Sequence, residues 1–386
     1  MDRKNTIYQD VVKYTENHMD EFLTCLEKTV NYESYTFGDR KTKDQCGEYL
    51  KELFSYIGFD MSTLDKGEAG GHIYGKYGNS ENKILLLGHY DTVFENGTTK
   101  DRPFYTDGIK AYGPGIYDMK GGDIVFYMAM KYLIENSLIK DKEVDIFISA
   151  DEEGGSVTSK DFVIEMARKA QACLVAEPGH EGVGYVTSER YGRNVYTLKA
   201  HGTAGHAGNH PEYAVNPIVE LSHQIVQLDQ LTKKDGSLTC TAVSLHSGAA
   251  GPTAMIPGEG YAIFDVRYDS KQNKEIVENG FGHLIPFLNG IKLELIGGEE
   301  KPQIELTDKS RKPFDTAKEI IEEAGYEFKP TKLGGGSDGN FTSSVGCPTL
   351  DGLGLNGDYL HNPKEYIVID SIPQRVALMA ELIRRL

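Results

Sequence analysis

Seven side chains in this 386-residue sequence have the types and surroundings for metal-assisted hydrolysis. His89 and Asp91 stand just past an aliphatic run in "LLLGHYDTVF", and Asp118 lies in "GPGIYDMKGG". Glu152 and Glu153 lie in "ISADEEGGS", Glu177 closes "LVAEPG", and His361 sits in "GDYLHNP". Singly, each has a plain structural reading: a lone histidine after a strand is usually a loop residue, and an acidic pair is usually solvated. Together they place acidic or imidazole groups at one strand end after another, which the plain reading explains poorly. Two imidazoles and three carboxylates suit a pair of divalent borderline ions, zinc above all. Two metals about 3.5–4 Å apart need one bridging carboxylate plus two terminal ligands each, and can share a hydroxide. A spare carboxylate must then act as general base, and Glu152 beside Glu153 is the natural candidate. Adjacent in a loop, one glutamate can face the metals and the other the water. Asp91 can hold the second imidazole nitrogen of His89.

These groups need a scaffold that gathers strand ends. Residues 84–87 are apolar throughout, as expected of a parallel strand buried on both faces, and open α/β sheets bind ligands just past such ends. "VDIFISA" (144–150) and "ACLVAEPG" (172–179) read as further buried strands, and "GGDIVFYMAMKYLIENS" (121–137) as a buried helix. Met19, Phe22, Leu23, Leu26 and Val30 recur at helical spacing. The alternation predicts an α/β catalytic domain with a mostly parallel sheet. The middle of the chain changes character. "NVYTLKAHG", "YAVNPIVELSHQIVQLDQL", "TCTAVSLHSG", "GYAIFDVRYD", "NKEIVENGFGHLIPFL" and "IKLELIGG" read in order as β-α-β-β-α-β, the ferredoxin-like pattern. The expectation is a catalytic domain in two parts, 1–188 and 301–386, with an inserted α+β domain at 189–300.

Lys and Arg total 41 against 58 Asp and Glu, a formal charge of −17, so phosphate backbones are repelled and no nucleic-acid partner is expected. No run of about eighteen apolar residues occurs, so no membrane span is expected. The start, "MDRKNTIYQDVVKYTENHMD", lacks the apolar stretch of a signal peptide. The five cysteines are an odd number with no CxxC pair, which fits a reduced, cytoplasmic protein.

In combination, "GHYDTV", "GPGIYDMKGG", "ADEEGGS", "AEPG", "HGTAGHAGNHPEYAVNPI", "GGGSDGN" and "YLHNPKEYI" resemble the motif series of the aminoacylase/carboxypeptidase family of dinuclear zinc peptidases. The likeness runs from about Leu26 to the C-terminus in the family's order, and is greatest to its bacterial glutamate carboxypeptidase branch. The resemblance implies two divalent ions per subunit, zinc foremost, with cobalt or manganese able to substitute. It implies that Asp118 bridges them, with a cis Asp118–Met119 peptide. His89 and Glu177 would complete one ion and Glu153 and His361 the other, with Glu152 as base and Asp91 orienting His89. It further implies a homodimer through the inserted domain, in which His206 polarises the scissile carbonyl of the neighbouring subunit. Arg267 in "DVRY" and Gly335, Gly336 and Ser337 in "GGGSD" match positions that face the substrate's carboxylate end. Read from its strand alone, Arg267 is equally a member of a surface ion pair. One departure stands out: where the glutamate carboxypeptidases carry an "NVSNIIP"-like segment, this chain has "GPTAMIP", with Ala254 in place of an amide donor. Carboxylate recognition must then be rearranged or shared with Thr253 or Lys301.

The expected reaction is hydrolysis of an amide or peptide bond next to a carboxylate-bearing amino acid in a small peptide or acyl-amino acid. The alternative is an N-acyl-amino-acid deacylase or a dipeptidase using the same site. A non-catalytic binding protein on this fold would usually have lost the base or a ligand, and here all are present. A Rossmann dehydrogenase would need GxGxxG after a strand, which is absent.

Overall fold

The apolar segments singled out above become neighbouring strands of one sheet in the computed structural model, which describes residues 6–180, 182–248, 254–308 and 310–386. The chain divides into two units, one of Met1–Glu189, Leu306–Lys332 and Ser337–Leu386, the other of Arg190–Glu305 and Leu333–Gly336. The second unit therefore runs beyond the expected boundary at 300 and takes in a short distant loop. The reason is hydrogen bonding: Arg190 and Ile304 exchange backbone bonds, and the Tyr191 N–H donates to the Leu333 carbonyl at 2.8 Å.

The first unit is built on strands β1 (Asp60–Asp65), β2 (Gly71–Tyr77), β3 (Lys83–His89), β4 (Glu143–Ser149) and β5 (Ala172–Val175). They lie in the order β1-β2-β4-β3-β5, with the short strand Thr349–Leu350 beyond β5. The four from β4 onward are parallel, while β1 and β2 run antiparallel to their neighbours. Ile84, Leu85, Leu86 and Leu87 are buried on both faces of β3, each contributing about 1.5–3 kcal/mol. Helix α1 (Met19–Asn31) buries Phe22, Leu26 and Val30 of the predicted stripe together with Cys25 and Thr29, and leaves Met19 and Leu23 half-buried. Helix α2 (Gly121–Glu135) is apolar nearly all round and buried along almost its whole length. Its start is close to the sheet: a Cβ at Gly122 would meet the Ala176 carbonyl oxygen at 2.0 Å, so only glycine lets the helix approach the end of β5.

The second unit follows the expected order: β6 (Gly192–His201), α3 (Pro217–Asp229), β7 (Leu238–Ser247), β8 (Glu259–Tyr268), α4 (Lys271–Gly282) and β9 (Lys292–Lys301). The strands form an antiparallel sheet in the order β7-β8-β6-β9. Along β6 buried residues alternate with half-buried ones, so one face packs a core of Leu198, Ala200, Leu221, Phe264 and Phe281. Helix α3 starts where "VNPI" dictates, with the Asn216 side chain accepting from the Ile218 N–H and Pro217 in the first turn. Among the described residues, no helix is long and apolar enough to cross a membrane.

Candidate metal centre

Strand order brings the predicted ligands together. β3 lies between β4 and β5, so His89 at its end is flanked by the loops that follow its two neighbours. One loop carries Glu152 and Glu153, the other Glu177. Asp118 arrives from the irregular turn Ile116–Lys120 that leads into α2, and its bond to Met119 is cis. His361 comes from an exposed loop in left-handed backbone conformation, with φ of 57°. His89 Nε2 lies 3.2 Å from Asp118 Oδ1 and 3.7 Å from Glu177 Oε1. His361 Nε2 lies 3.0 Å from the other Asp118 oxygen and 3.1 Å from Glu153 Oε1. Asp118 thus offers one oxygen to each histidine. Two overlapping groups, His89 with Glu152 and Glu177, and His89 with Asp118 and Glu153, each keep their ligand atoms within 4.8 Å.

The donor set fits divalent cations. His89 Nε2, Asp118 Oδ1 and Glu153 Oε1 are buried and have no hydrogen-bond partner among the described residues. Buried polar atoms rarely stay unpaired, so converging orphaned lone pairs are what a cation would satisfy. The electrostatics agree. Burial, and then the Asp118 charge, push Glu153 up to about 7. Asp118 and Glu153 in turn lift His361 to about 10. Burial also pushes Asp118 up, but His361 and His89 outweigh it and hold the carboxyl below its usual range. Burial opposes charging of His89, yet Asp118, Asp91 and Glu177 raise it well above its ordinary value. The clustered carboxylates draw positive charge into the centre.

Asp91 has a broader part than expected. His89 Nδ1 donates to the Asp91 backbone carbonyl at 3.0 Å, and the carboxylate stands further off at 3.5 Å. A carbonyl only accepts, so Nδ1 carries a proton and Nε2 is the nitrogen turned to the ligand carboxylates. The Asp91 side chain, fully buried, instead accepts from the Glu152 N–H at 3.1 Å, the Glu153 N–H at 3.1 Å and the Thr36 hydroxyl at 2.8 Å. It therefore sets the loop that presents both glutamates. Sequence reasoning missed Thr36 and also Glu365, a buried carboxylate that accepts from the N–H groups of Gly115, Tyr117 and Asp118. Burial pushes Glu365 up to about 8 against the pull of those N–H groups. Its only sequence signal is a place four residues after His361, which solvated glutamates share.

The remaining expected residues lie in the second unit or beside it. His206 is exposed, and its Nδ1 accepts from the Gly208 and Asn209 N–H groups at 3.0 and 2.9 Å. That fixes the tautomer with hydrogen on Nε2, a donor directed away from its own loop. Next to it, the Ala254 carbonyl accepts from the Ala207 N–H at 2.8 Å, and His206 pairs with Met255. Thr253 falls outside the described residues, and Lys301 is buried. The Arg267 guanidinium is held by Asp265 at 2.7 Å and by the Gly334 carbonyl at 3.0 Å. Gly335 is exposed and Gly336 half-buried. Ser337 departs from expectation: it is fully buried and its hydroxyl donates to Asp351 at 2.5 Å, so its side chain anchors the loop from behind.

The chain has relatives among known proteins. The model of Peptidase family M20/M25/M40 matches residues 85–385, a span from β3 to the C-terminal helix that includes every proposed ligand. The chain belongs to that family. It is therefore a hydrolase of the metallopeptidase type. Carboxypeptidase G2 of Pseudomonas sp. (strain RS-16) is 29% identical over 391 residues, covering 99% of this chain and 92% of that protein. Succinyl-diaminopimelate desuccinylase of Hahella chejuensis is 25% identical over 358 residues, covering 88% of this chain and 91% of that protein. Among solved structures, aminopeptidase PepT of Bacillus cereus matches with a TM-score of 0.76 at 18% identity, covering 95% of this chain and 98% of that one. The YXEP protein of Bacillus subtilis, described as a dinuclear metal-binding peptidase, matches with a TM-score of 0.68 at 13% identity, covering 96% and 98%. At these identities the structural likenesses speak for the fold alone.

Proposed function

We propose that the protein hydrolyses an amide or peptide bond adjacent to a carboxylate-bearing amino acid, in the manner of a carboxypeptidase. The observation that carries this reading is the convergence of His89, Asp118, Glu153, Glu177 and His361 with Glu152 beside them, three of the ligand atoms (His89 Nε2, Asp118 Oδ1 and Glu153 Oε1) being buried without a hydrogen-bond partner among the described residues. Asp118 would bridge two ions, His89 and Glu177 would complete one, and Glu153 and His361 the other, zinc being the best match to this donor set and cobalt or manganese the substitutes. Bound there, the ions would supply Lewis-acid activation of water and of the scissile carbonyl.

Glu152 takes the proton of the attacking water and returns it to the leaving amine. His206, with hydrogen on Nε2, donates to the oxygen of the scissile carbonyl as charge develops. It does so in the neighbouring subunit of a homodimer formed through the second unit. Support for that dimer comes from β7, an edge strand, and α3, which leave Val243 58% and Val226 64% exposed. Arg267, with Gly335 and Gly336, receives the substrate's carboxylate. A small peptide or acyl-amino acid in a cytoplasmic setting is the matching substrate.

The test is Glu152→Gln, which keeps the size of the side chain and removes the base. Both ions should remain on metal analysis while kcat falls by at least about 10²-fold. Near-normal turnover would remove Glu152 from the mechanism. The similarity to the desuccinylase favours a second reading, deacylation of N-acyl amino acids at the same site. Initial rates on acyl-amino acids, dipeptides and longer peptides, read by amine release, separate the two.

A further inference from the structure

His89 and His361 are held in different ways. His89 ends a central strand and is tied by Nδ1 to its own loop. Glu177 is braced as well, because its carbonyl accepts from the Gly354 N–H at 2.9 Å. His361, in contrast, belongs to the exposed stretch 358–364. Short turns shape that stretch, with the Asn362 N–H donating to Tyr359 at 3.0 Å and the Glu365 N–H to Asn362 at 2.9 Å. Its anchor is Glu365, which is 1% exposed at the end of the loop. One Glu365 oxygen accepts from the N–H groups of Tyr117 and Asp118 at 2.7 and 3.0 Å, and the other from Gly115 at 3.1 Å. One side chain thus joins the loop of His361 to the backbone of Asp118, whose Oδ2 is 3.0 Å from His361 Nε2.

We propose that Glu365 is a positioning residue that sets the affinity of the ion held by His361, by locking the His361 loop and the Asp118 backbone into one unit. This rests on the two-ion reading above. Three backbone N–H groups accepted by one buried side chain make a rigid clamp, since breaking any of these bonds leaves a buried donor unpaired. Without it, His361 and Asp118 keep their chemistry but lose their fixed separation. The ion between His89 and Glu177 retains ligands fixed by the sheet and its loops. Asp118 is common to both ions, but only the ion held by His361 takes a second ligand from the clamped loop, so the effect is larger for that ion, and partners of ligands typically change metal affinity about 10–100-fold.

Glu365→Gln is the chosen variant. Glutamine has the same length but one acceptor oxygen, so it either turns its NH2 onto the Gly115 N–H or loses the bonds from Tyr117 and Asp118. Zinc-loaded wild type and variant are challenged with buffers of falling free zinc, and zinc release is read with a colour indicator alongside melting temperature and kcat. In the variant, one of two ions should leave at a free zinc concentration at least about tenfold higher than in wild type. The other should shift by clearly less, and added zinc should restore kcat. Glu365→Asp, with the charge but not the reach, should behave alike and serves if the glutamine variant does not fold. Unchanged release of both ions overturns the proposal, as does equal weakening of both. Failure of both variants to fold also overturns it, leaving Glu365 as a brace of the fold. Wild type holding fewer than two ions defeats the two-ion reading itself, and the proposal with it.

Discussion

Replacing Asp91 by asparagine removes one charge and one acceptor from the side chain that holds the Glu152–Glu153 loop. The carboxylate accepts from Thr36 and Glu153 on one oxygen and from the Glu152 N–H on the other. The single oxygen of asparagine satisfies most donors at the first place, which turns the amide NH2 onto the Glu152 N–H. That N–H is left buried without an acceptor, at a cost of about 1–3 kcal/mol. The cost falls on the backbone of the proposed base, so Glu152 shifts from its water. At about 1.4 kcal/mol per tenfold, kcat should fall between about fivefold and about 150-fold. Because Asp91 is fully buried it touches no substrate, and KM should change little. Steady-state kinetics with metal analysis on the same preparations make the assay. Thr36→Val is the graded control: it removes one hydroxyl donor and leaves both loop N–H groups accepted, so kcat should drop only a few-fold, the scale of about 1 kcal/mol. Asp91→Asn with kcat within twofold and both metals retained would refute the reasoning, and so would a larger loss in Thr36→Val.

Other expectations follow from the same geometry. His89→Ala and His361→Ala should each cut activity severely and retain fewer than two tightly bound equivalents of metal, because each imidazole supplies a ligand nitrogen; full occupancy in both would place the centre elsewhere. A chelator should inactivate the wild type, and zinc, cobalt or manganese should restore it. Mixing Glu152→Gln with His206→Ala under subunit exchange should raise activity towards about a quarter of wild type, since a two-fold interface gives mixed dimers one intact composite site. No rescue with proven exchange would mean that each chain completes its own site. Far from the metal centre, fully buried Glu381 accepts from the Thr6 hydroxyl, the Ile7 N–H, Arg384 and Arg385. Burial pushes its carboxyl up, but Arg385, Thr6 and Arg384 outweigh this and hold it below its ordinary 4.5. A carboxylate lowered by folding stabilises fully above the unfolded value, and that contribution is lost as pH falls through the folded one. Glu381→Gln should therefore lower stability at pH 7 by about 1.5–3 kcal/mol and flatten the decline below about pH 4.5. An acid limb of the melting curve identical to wild type would count against the ion cluster.

The residues proposed as ligands could be picked out in the sequence because metal chemistry admits few residue types, and because apolar runs such as residues 84–87 and 146–148 mark strands beyond whose ends those residues lie. The β-α-β-β-α-β order was legible for a similar reason: β6 alternates buried and half-buried residues, and a period of two is written directly into the chain. What the pattern does not encode is which strands become neighbours. The order β4-β3-β5, which sets Glu153 and Glu177 on either side of His89, emerges only when the sheet assembles. The same holds for Ser337, which looks like any loop serine until Asp351 captures its hydroxyl, and for Asp91, whose carboxylate serves the glutamate loop more than the imidazole beside it. Glu365 is the clearest case. It reaches the Asp118 N–H across 247 positions of sequence, and a buried hydrogen bond between such distant residues leaves no periodicity in either segment. Local pattern records which face of an element is apolar, whereas the partners of a buried polar group are decided by long-range packing.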